Sequence, residues 1–291
     1  QVYNLNESVF FTTHNSQLTP VAFAGYFASL SITGGSHQKM KEFNFPRRIV
    51  SLVPSQTELL AYLGLQEEVV GITKFCVHPA EWFQNKQRVG GTKTVNFEKT
   101  AALQPDLILA NKEENERTQI EELQKHCPVW ISDILTLEDA LDMIRQVGGM
   151  TGKTEPAQAL AVEIVRRFEG LKKEPFKTVR AAYLIWRKPY MVAARNTFVD
   201  EMMQWAGFVN VFAGLQRYPE ISADALVAAA PEVVLLSSEP YPFAEKHLHA
   251  IRELCPAASV LLVDGEMFSW YGSRLLQAPA YFQALRQRVG K

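Results

Sequence analysis

Residues 154 to 173 read TEPAQALAVEIVRRFEGLKK, and the interpretation of the whole chain depends on this stretch. Its apolar side chains recur at helical spacing and would form one stripe along a helix. Thr154 is a residue typical of the N-cap, and the negative charge of Glu155 is favourable at the positive end of the helix dipole. Pro156 is tolerated in the first turn, where its missing N–H costs little. About twenty residues span roughly 30 Å, enough to join two bodies. The stripe consists of Ala157, Leu160, Ala161, Ile164, Val165, Phe168 and Leu171.

The bulk composition is that of an ordinary globular protein. Of the 291 residues, 47% are hydrophobic and 21% are charged, which allows a sizeable core and, by length, about two domains. The 30 basic residues are matched by 31 acidic ones. There is therefore no basic field for nucleic acid and no polybasic membrane signal, and we expect neither a nucleic-acid partner nor a membrane span.

The first residues differ from the rest and leave the compartment open. Residues 1–40 carry few charges and no regular period, so we predict a poorly ordered N-terminal extension over residues 1–45. Its apolar run 21–32 is shorter than the roughly twenty residues of a membrane helix. This run could be the remnant of a secretory signal, but the basic segment that precedes the apolar part of such signals is missing. A translation start at Met40 would leave no export signal.

From Arg47 onward, segments typical of strands alternate with segments typical of helices. We predict strands at RIVSLVP, at VVGIT (69–73), at 107–110 and at VWISD. Helices are expected after Ser55, after Asn96, near 113–126 and at TLEDALDMIRQVGG, where the last would end at Gly148. Ser55 is predicted to cap its helix because Glu58 follows three residues later. Strands separated by helices imply parallel sheets with βαβ crossovers.

The second half of the chain repeats the plan of the first. Asn96 precedes a Pro-Asp pair and the strand LILA, and Ser222 precedes a Pro-Glu pair and the strand VVLLS at the same spacing. Likewise, Cys127-Pro128 precedes VWISD and Cys255-Pro256 precedes VLLVDG. Two similar α/β lobes on either side of the helix 154–173 would enclose a cleft. The matched cysteines would lie in different lobes, and no CxxC pair indicates a disulfide framework or a zinc ribbon.

The usual enzyme motifs are absent. GGMTGKT (148–154) resembles a phosphate loop, but Val147 stands where the first glycine is needed and a helix, not a strand, precedes it. VGGTK (89–93) has no helix after it, and neither GxSxG nor HExxH occurs. We interpret the glycines at 148 and 149 as a helix stop.

Three candidate features remain. Cys76 and His78 are two residues apart, which on an extended segment would put a thiol and an imidazole on one face, where they could bind a metal; the alternative is a core cysteine and a turn histidine. Loops after strands carry aromatic or arginine side chains, which at the carboxyl ends of parallel strands would face a ligand crevice. The acidic run 112–122 is interpreted as a solvated helix face or a docking patch. The loop residues are Trp186, Tyr218, Trp270, Tyr271 and Arg274.

Several segments together resemble one family. These are RIVSLVPSQTELLAYLGLQEEVVGIT, the His78-Pro79 turn, VGGTK, PDLILAN and EISADALVAAAPEVVLL. They are similar to the cobalamin-binding and iron-siderophore type, helical-backbone (class III) periplasmic substrate-binding proteins of ABC transporters, over about residues 46–290. The resemblance implies an α/β fold of two Rossmann-like lobes joined by a single long backbone helix, with the ligand cleft between them. We assign 46–153 to the N-terminal lobe, 154–173 to the helix and 174–291 to the C-terminal lobe.

The resemblance also implies residue roles. It places an acidic docking residue for the permease on each lobe, at Glu116 and Asp224. Histidine, threonine and asparagine stand where the family's cobalamin receptors have aromatic contacts, so a corrinoid, a haem and a ferric siderophore all stay open as ligands. His78 would be an axial metal ligand, with Cys76 as a weaker metal candidate. The implied ligand contacts, with the aromatic loop added, are Ser55, Gln56, His78, Thr92, Asn111, Trp186, Tyr218, Trp270, Tyr271 and Arg274.

The leading hypothesis is a monomeric, non-catalytic receptor with no intrinsic cofactor that captures a corrinoid or other metal chelate for an ABC permease, in the periplasm by family resemblance. One alternative is a cytoplasmic metal-chelate sensor or carrier, favoured by a start at Met40. The other is an α/β redox enzyme on a nitrogenase-like scaffold, against which three scattered cysteines argue. A rigid helix between the lobes predicts little lobe movement on binding.

Overall fold

The computed structural model describes residues 45–172 and 176–289. The predicted extension over residues 1–45 therefore lies, except for Phe45, outside the described residues. In the part that is described, no helix combines the length and the apolar character needed to cross a membrane. Two separate β-sheets organise this part of the chain.

The first sheet consists of short strands close together in sequence. They are β1 (Ile49–Ser51), β2 (Val69–Ile72), β3 (Gln87–Arg88), β4 (Leu107–Asn111) and β5 (Val129–Ser132). Their order is β3-β2-β1-β4-β5, and all pairings are parallel, as the alternating pattern predicts. β1 and β4 are buried along their whole length, which explains why they read as continuous apolar runs.

The helices between these strands differ from prediction at their ends. They are α1 (Pro54–Tyr62), α2 (Ala80–Asn85), α3 (Phe97–Ala102), α4 (Arg117–Leu123) and α5 (Leu137–Met150). The prediction that Ser55 caps α1 is wrong, because Val53 is the N-cap and Pro54 occupies the first turn, where its fixed φ suits a helix. The prediction that Gly148 ends α5 is also wrong, since the helix continues to Met150.

The second sheet is mixed. Its strands are β6 (Val179–Trp186), β7 (Tyr190–Val192), β8 (Phe208–Asn210), β9 (Glu220–Ile221), β10 (Val233–Ser237) and β11 (Ser259–Val263). The order is β11-β10-β6-β7-β9, and β8 also pairs with β6. β10, β11, β6 and β8 are parallel as predicted, whereas β7 is antiparallel to β6 and to β9. The connection from β6 to β7 is too short for a crossover, so the chain must reverse there.

The long helix predicted between the two lobes is α6 (Thr154–Lys172). The predicted stripe is buried except for Val165, which is 38% exposed. The remaining helices are α7 (Phe198–Trp205), α8 (Ala223–Ala228), α9 (Glu245–Leu254), α10 (Glu266–Ser269), the 3-10 turn η1 (Ser273–Leu276) and α11 (Ala278–Val289). On one side α6 packs against α5, and on the other against α11 and η1. The helix thus contacts both lobes.

The packing of α6 explains why Phe168 belongs to its apolar stripe and why residue 148 of α5 is a glycine. The ring of Phe168 lies edge-on to Trp205 of α7 and Phe282 of α11, with centroids 5.2 and 6.4 Å away. On the other side, a Cβ placed on Gly148 of α5 would lie 2.2 Å from the Cβ of Ala157. Gly148 is therefore the residue that lets α5 and α6 approach closely, not a helix stop.

The repeat predicted from the sequence has a common structural basis in the two lobes. Asn96 and Ser222 each cap a short helix by accepting a backbone N–H three residues on. The acidic residue after each proline accepts from the backbone at the start of a central strand, Asp106 from Arg47 and Arg48 and Glu232 from Arg180. The exact lobe limits, 46–153, 154–173 and 174–291, stay a prediction.

Candidate functional site

The candidate site lies where the carboxyl ends of the two sheets face each other. In the first lobe, β4 leads into the loop that carries Glu113 and Glu114, while α1 presents Glu58. In the second lobe, β11 leads into α10 and η1, which flank Trp270 and Tyr271. Side chains from these segments contact each other directly across what we call the lobe junction. The lobe junction consists of Glu58, His78, Glu113 and Glu114 of the first lobe and Arg217, Tyr218, Glu239, Glu266, Trp270, Tyr271 and Arg274 of the second.

Arg274 lies at the base of the lobe junction and holds two carboxylates. Its guanidinium donates to both oxygens of Glu58 at 2.7 and 3.1 Å and lies 2.8 Å from a carboxylate oxygen of Glu266. The guanidinium also lies over the ring of Trp270, 5.0 Å from its centroid. Arg274 therefore links the two lobes through its pairs with Glu58 and Glu266, which we call the Arg274 joint. The predicted contact of Arg274 with a ligand stays a prediction.

His78 is brought to the same place, but Cys76 is not. His78 Nε2 lies 3.3 Å from Glu266 Oε1, its ring lies edge-on to Trp270, and its side chain is 41% exposed. Of the two alternatives that the sequence leaves open, the structure has the core cysteine and the histidine at a bend, because Cys76 is buried whereas His78 is partly exposed. Cys76 is fully buried against the hydroxyls of Thr57 and Thr73, and this burial raises the pKa of its thiol. A buried, protonated thiol does not suit a metal in the cleft.

His78 is not part of a multidentate metal site in the described part of the chain. Within residues 45–172 and 176–289, no group of three or more histidine, cysteine, aspartate or glutamate side chains is placed to hold a metal ion. Cys76, Cys127 and Cys255 are free and buried. A single axial bond from His78 to the metal of a chelate needs no such group and stays a prediction.

The loop after β4 is organised by Asn111. Its Oδ1 accepts the backbone N–H groups of Glu113 and Glu114 at 2.8 and 3.1 Å, and its Nδ2 donates to Ser132 Oγ at 3.0 Å. The side chain is almost fully buried. Asn111, a predicted ligand contact, therefore positions the two glutamates. The interpretation of residues 112–122 as one solvated helix face is wrong, since the helix begins only at Arg117.

Glu113 and Glu114 reach across to the second lobe. Glu113 pairs with Arg217 at 3.1 Å, and Tyr271 donates its hydroxyl to Glu114 at 2.9 Å. Burial raises the pKa of Glu113, and burial together with the charge of Glu239 raises the pKa of Glu114 to about 7. Burial beside these glutamates also raises the pKa of Tyr218 and Tyr271 well above the ordinary value. Their place directly after a buried strand was the sequence signal that could have identified both glutamates.

Glu239 is the acidic counterpart in the second lobe. It follows β10 and accepts from Ser269 Oγ at 2.5 Å and from Trp270 Nε1 at 3.0 Å. Burial and the neighbouring charge of Glu266 raise the pKa of Glu239. Sequence reasoning missed this residue as well, although it lies just past the carboxyl end of a strand.

The remaining predicted contacts lie nearby but differ in their surroundings. Ser55 and Gln56 are buried in the first turn of α1. Gln56 Nε2 donates to Ser132 Oγ at 2.6 Å, whereas its Oε1 has no hydrogen-bond partner. Thr92 accepts from Asn115 through its backbone carbonyl at 2.9 Å. At the end of β6, Trp186 lies edge-on to Tyr241, 5.4 Å between centroids.

The predicted docking residues are both exposed. Glu116 precedes α4 as its N-cap residue, and Asp224 lies in the first turn of α8, two residues after the cap Ser222. The internal repeat provides a different counterpart for Asp224. Glu98 lies in the first turn of α3, two residues after the cap Asn96, and it is also exposed.

Comparisons with known proteins agree with this architecture. A family model described as periplasmic binding protein matches residues 49–253. A vitamin B12-binding protein of Vibrio campbellii is 29% identical over 196 residues, which cover 66% of this chain and 70% of the relative. The vitamin B12-binding protein of Pectobacterium carotovorum is 24% identical over 242 residues, covering 81% of this chain and 87% of the relative.

Solved structures show the same fold. The periplasmic vitamin B12-binding protein of Vibrio cholerae superposes with a TM-score of 0.74 at 24% identity, covering 84% of this chain and 98% of that one. A periplasmic heme-binding protein from a Roseiflexus species gives a TM-score of 0.72 at 22% identity, with 84% and 99% coverage. Both matches extend over the two lobes and α6.

Proposed function

The chain belongs to the periplasmic binding protein family, and from that premise we propose that it captures a corrinoid between its lobes for delivery to an ABC permease. The observation that carries the proposal is the similarity to vitamin B12-binding proteins, which extends over 81% of the chain. Members of this family bind their ligand without transforming it, so no catalytic residue is assigned. The proposed location is the periplasm or another extracytoplasmic space.

The chemistry of the lobe junction supports a large, amphipathic ligand. Trp270 and Tyr271 are buried at the junction beside Glu239 and Glu114, and Tyr218 is half-buried beside Arg217, so aromatic rings lie next to polar groups. Indole and phenol rings can stack on the apolar faces of a macrocycle, and their polar ends can contact its rim. Within the proposal, His78 would supply an axial nitrogen, because a neutral imidazole is a good ligand for cobalt or iron.

For the permease, we propose that docking uses Asp224 on one lobe and Glu98 on the other. The support is their identical place in the repeat, two residues after a capping side chain in an exposed first helical turn. Acidic residues there would pair with basic groups of the permease. Reversing both charges with lysine is expected to abolish stimulation of a reconstituted vitamin B12 permease ATPase, whereas Glu116→Lys alone should leave it intact. Unchanged stimulation by the double variant would contradict this docking mode.

The proposed ligand class is tested by titration of the purified protein. Cyanocobalamin, dicyanocobinamide, haemin and a ferric siderophore are each added while tryptophan fluorescence and heat are recorded. Saturable binding of a corrinoid supports the proposal, and binding of none of the four overturns it. An absorbance change of aquocobinamide that persists in His78→Ala would remove axial ligation from the proposal.

A further inference from the structure

Two carboxyl groups, one from each lobe, stand apart from the ion pairs described for the lobe junction. Glu58 and Glu266 share Arg274, and Glu113 pairs with Arg217. Glu114 and Glu239 accept only from neutral donors, the hydroxyls of Tyr271 and Ser269 and the indole of Trp270. Among the residues that the structure describes, neither forms an ion pair. Each carboxylate offers about four lone-pair sites, so both keep unused capacity to accept hydrogen bonds.

A second, independent observation indicates the same imbalance. Gln56 is completely buried, and its Oε1, a pure acceptor, has no partner. The amide of Gln56 belongs to the same network, because it donates to Ser132 Oγ, which also binds Asn111, whose Oδ1 holds the backbone of Glu114. Buried acceptors without donors are rare in folded proteins. The first lobe therefore holds a buried acceptor, Gln56 Oε1, that has no donor among the described residues, and the hydroxyls of Ser55 and Ser273 have no partner there either.

We propose that Glu114 and Glu239 are specificity-determining residues that accept N–H groups from the rim of the bound chelate and reject chelates whose rim carries carboxylates. The inference rests on the proposed function, in which a chelate occupies the lobe junction. Amide N–H groups would supply the donors that the site lacks. Carboxylates would instead bring like charges against two acidic groups that form no ion pair among the described residues, and such contacts oppose binding.

Two corrinoids that share a ring test this inference without any mutation. Dicyanocobinamide carries amides around its rim, and dicyanocobyrinic acid carries carboxylates at the same positions. Titrations at pH 8, above the pKa of about 7 of Glu114, are followed by the absorbance of the corrin. The wild-type protein is expected to bind the amide form on the order of 100-fold more tightly. Equal binding, or tighter binding of the carboxylate form, overturns the inference.

Isosteric variants then assign the preference to these two residues. The double variant Glu114→Gln/Glu239→Gln is expected to lower the preference at least about tenfold, chiefly by improving the affinity for cobyrinic acid. Glu121→Gln removes an exposed charge of α4 and serves as the matched control that keeps the wild-type ratio. A wild-type ratio in the double variant would overturn the assignment.

The outcomes separate this inference from the function on which it rests. If both corrinoids bind with equal affinity, corrinoid capture stands and the role of Glu114 and Glu239 is refuted. If neither corrinoid binds, corrinoid capture is refuted and the inference falls with it. Folding of each glutamine variant is checked by circular dichroism, and the comparison of the two ligands on the wild-type protein stands whatever the variants do.

Discussion

The guanidinium of Arg274 donates two hydrogen bonds to the carboxylate of Glu58, although the two residues are 216 positions apart in sequence. Nη2 lies 2.7 Å from Oε1 and Nε lies 3.1 Å from Oε2, the parallel arrangement that makes arginine–carboxylate pairs strong. Because the same guanidinium also holds Glu266, one side chain ties α1 of the first lobe to α10 and η1 of the second.

Loss of this joint should destabilise the protein. Arg274→Ala leaves Glu58 and Glu266 without their cation in a poorly solvated place, and removing one partner of a buried pair costs about 3 kcal/mol. The free energy of unfolding is measured by urea titration monitored by circular dichroism. Lys125→Ala, which removes an exposed pair with Glu122, is the control and should cost less than about 0.5 kcal/mol. Equal effects of the two variants would contradict a joint at Arg274.

The sequence was most informative where local rules decide the structure. The caps Asn96 and Ser222 and the strands that follow them were predicted because hydrogen bonding at a helix start and apolar runs are local properties. The cap predicted at Ser55 is wrong because Pro54, which also suits a first turn, moves the helix start back by two positions.

The site was harder to predict because it is formed by contacts between distant segments. Their position just after β4 sets Glu113 and Glu114 apart from the exposed glutamates that follow them, but it does not reveal which groups they contact. Their burial results from Asn111, which fixes the loop, and from Arg217 and Tyr271 of the other lobe. Gly148 likewise reads as a helix stop until Ala157 is seen to pack against it.

Glu114 should make stability fall as pH rises. The folded-state pKa of this carboxyl is raised from 4.5 to about 7, so between these values the folded protein holds a proton that the unfolded chain releases. The contribution of Glu114 is therefore favourable at low pH and is lost towards pH 7. The groups that act on it are Tyr271, Glu239, Glu113 and Lys93.

The variant Glu114→Gln isolates this effect. A neutral amide has no proton to lose, so this loss of stability with pH is absent from the variant. The free energy of unfolding of the variant relative to that of the wild type should therefore rise by about 2 kcal/mol from pH 5 to pH 8. Urea unfolding at half-unit pH intervals measures the difference. Glu116→Gln, an exposed neighbour, should follow the wild-type curve. A difference between Glu114→Gln and wild type that is constant with pH would show that the carboxyl is not perturbed.

The crossing of α5 and α6 should not tolerate a side chain at Gly148. A Cβ there would meet the Cβ of Ala157 at 2.2 Å and the carbonyl oxygen of Lys153 at 2.9 Å, so Gly148→Ala forces the helices apart. Overpacking of this kind costs about 1–3 kcal/mol, which thermal unfolding can measure. Gly170→Ala is the matched control, because nothing lies within 4 Å of its added Cβ in α6. This control should stabilise the protein by up to about 1 kcal/mol. If Gly148→Ala left the stability unchanged, close packing of α5 on α6 would be contradicted.

The lobes should move little when a ligand binds. α6 is packed against α5 of the first lobe and, through Phe168, against Trp205 and Phe282 of the second, so a rotation of one lobe would have to break one of these contacts. The joint between Arg274 and Glu58 acts in the same direction, because η1 packs against both α6 and α1. Small-angle scattering and crystal structures with and without dicyanocobinamide measure the relative lobe orientation. We expect a change well below that of hinge-type binding proteins, and Arg274→Ala should enlarge it. A hinge-type rotation in the wild-type protein would show that α6 bends or that its packing gives way.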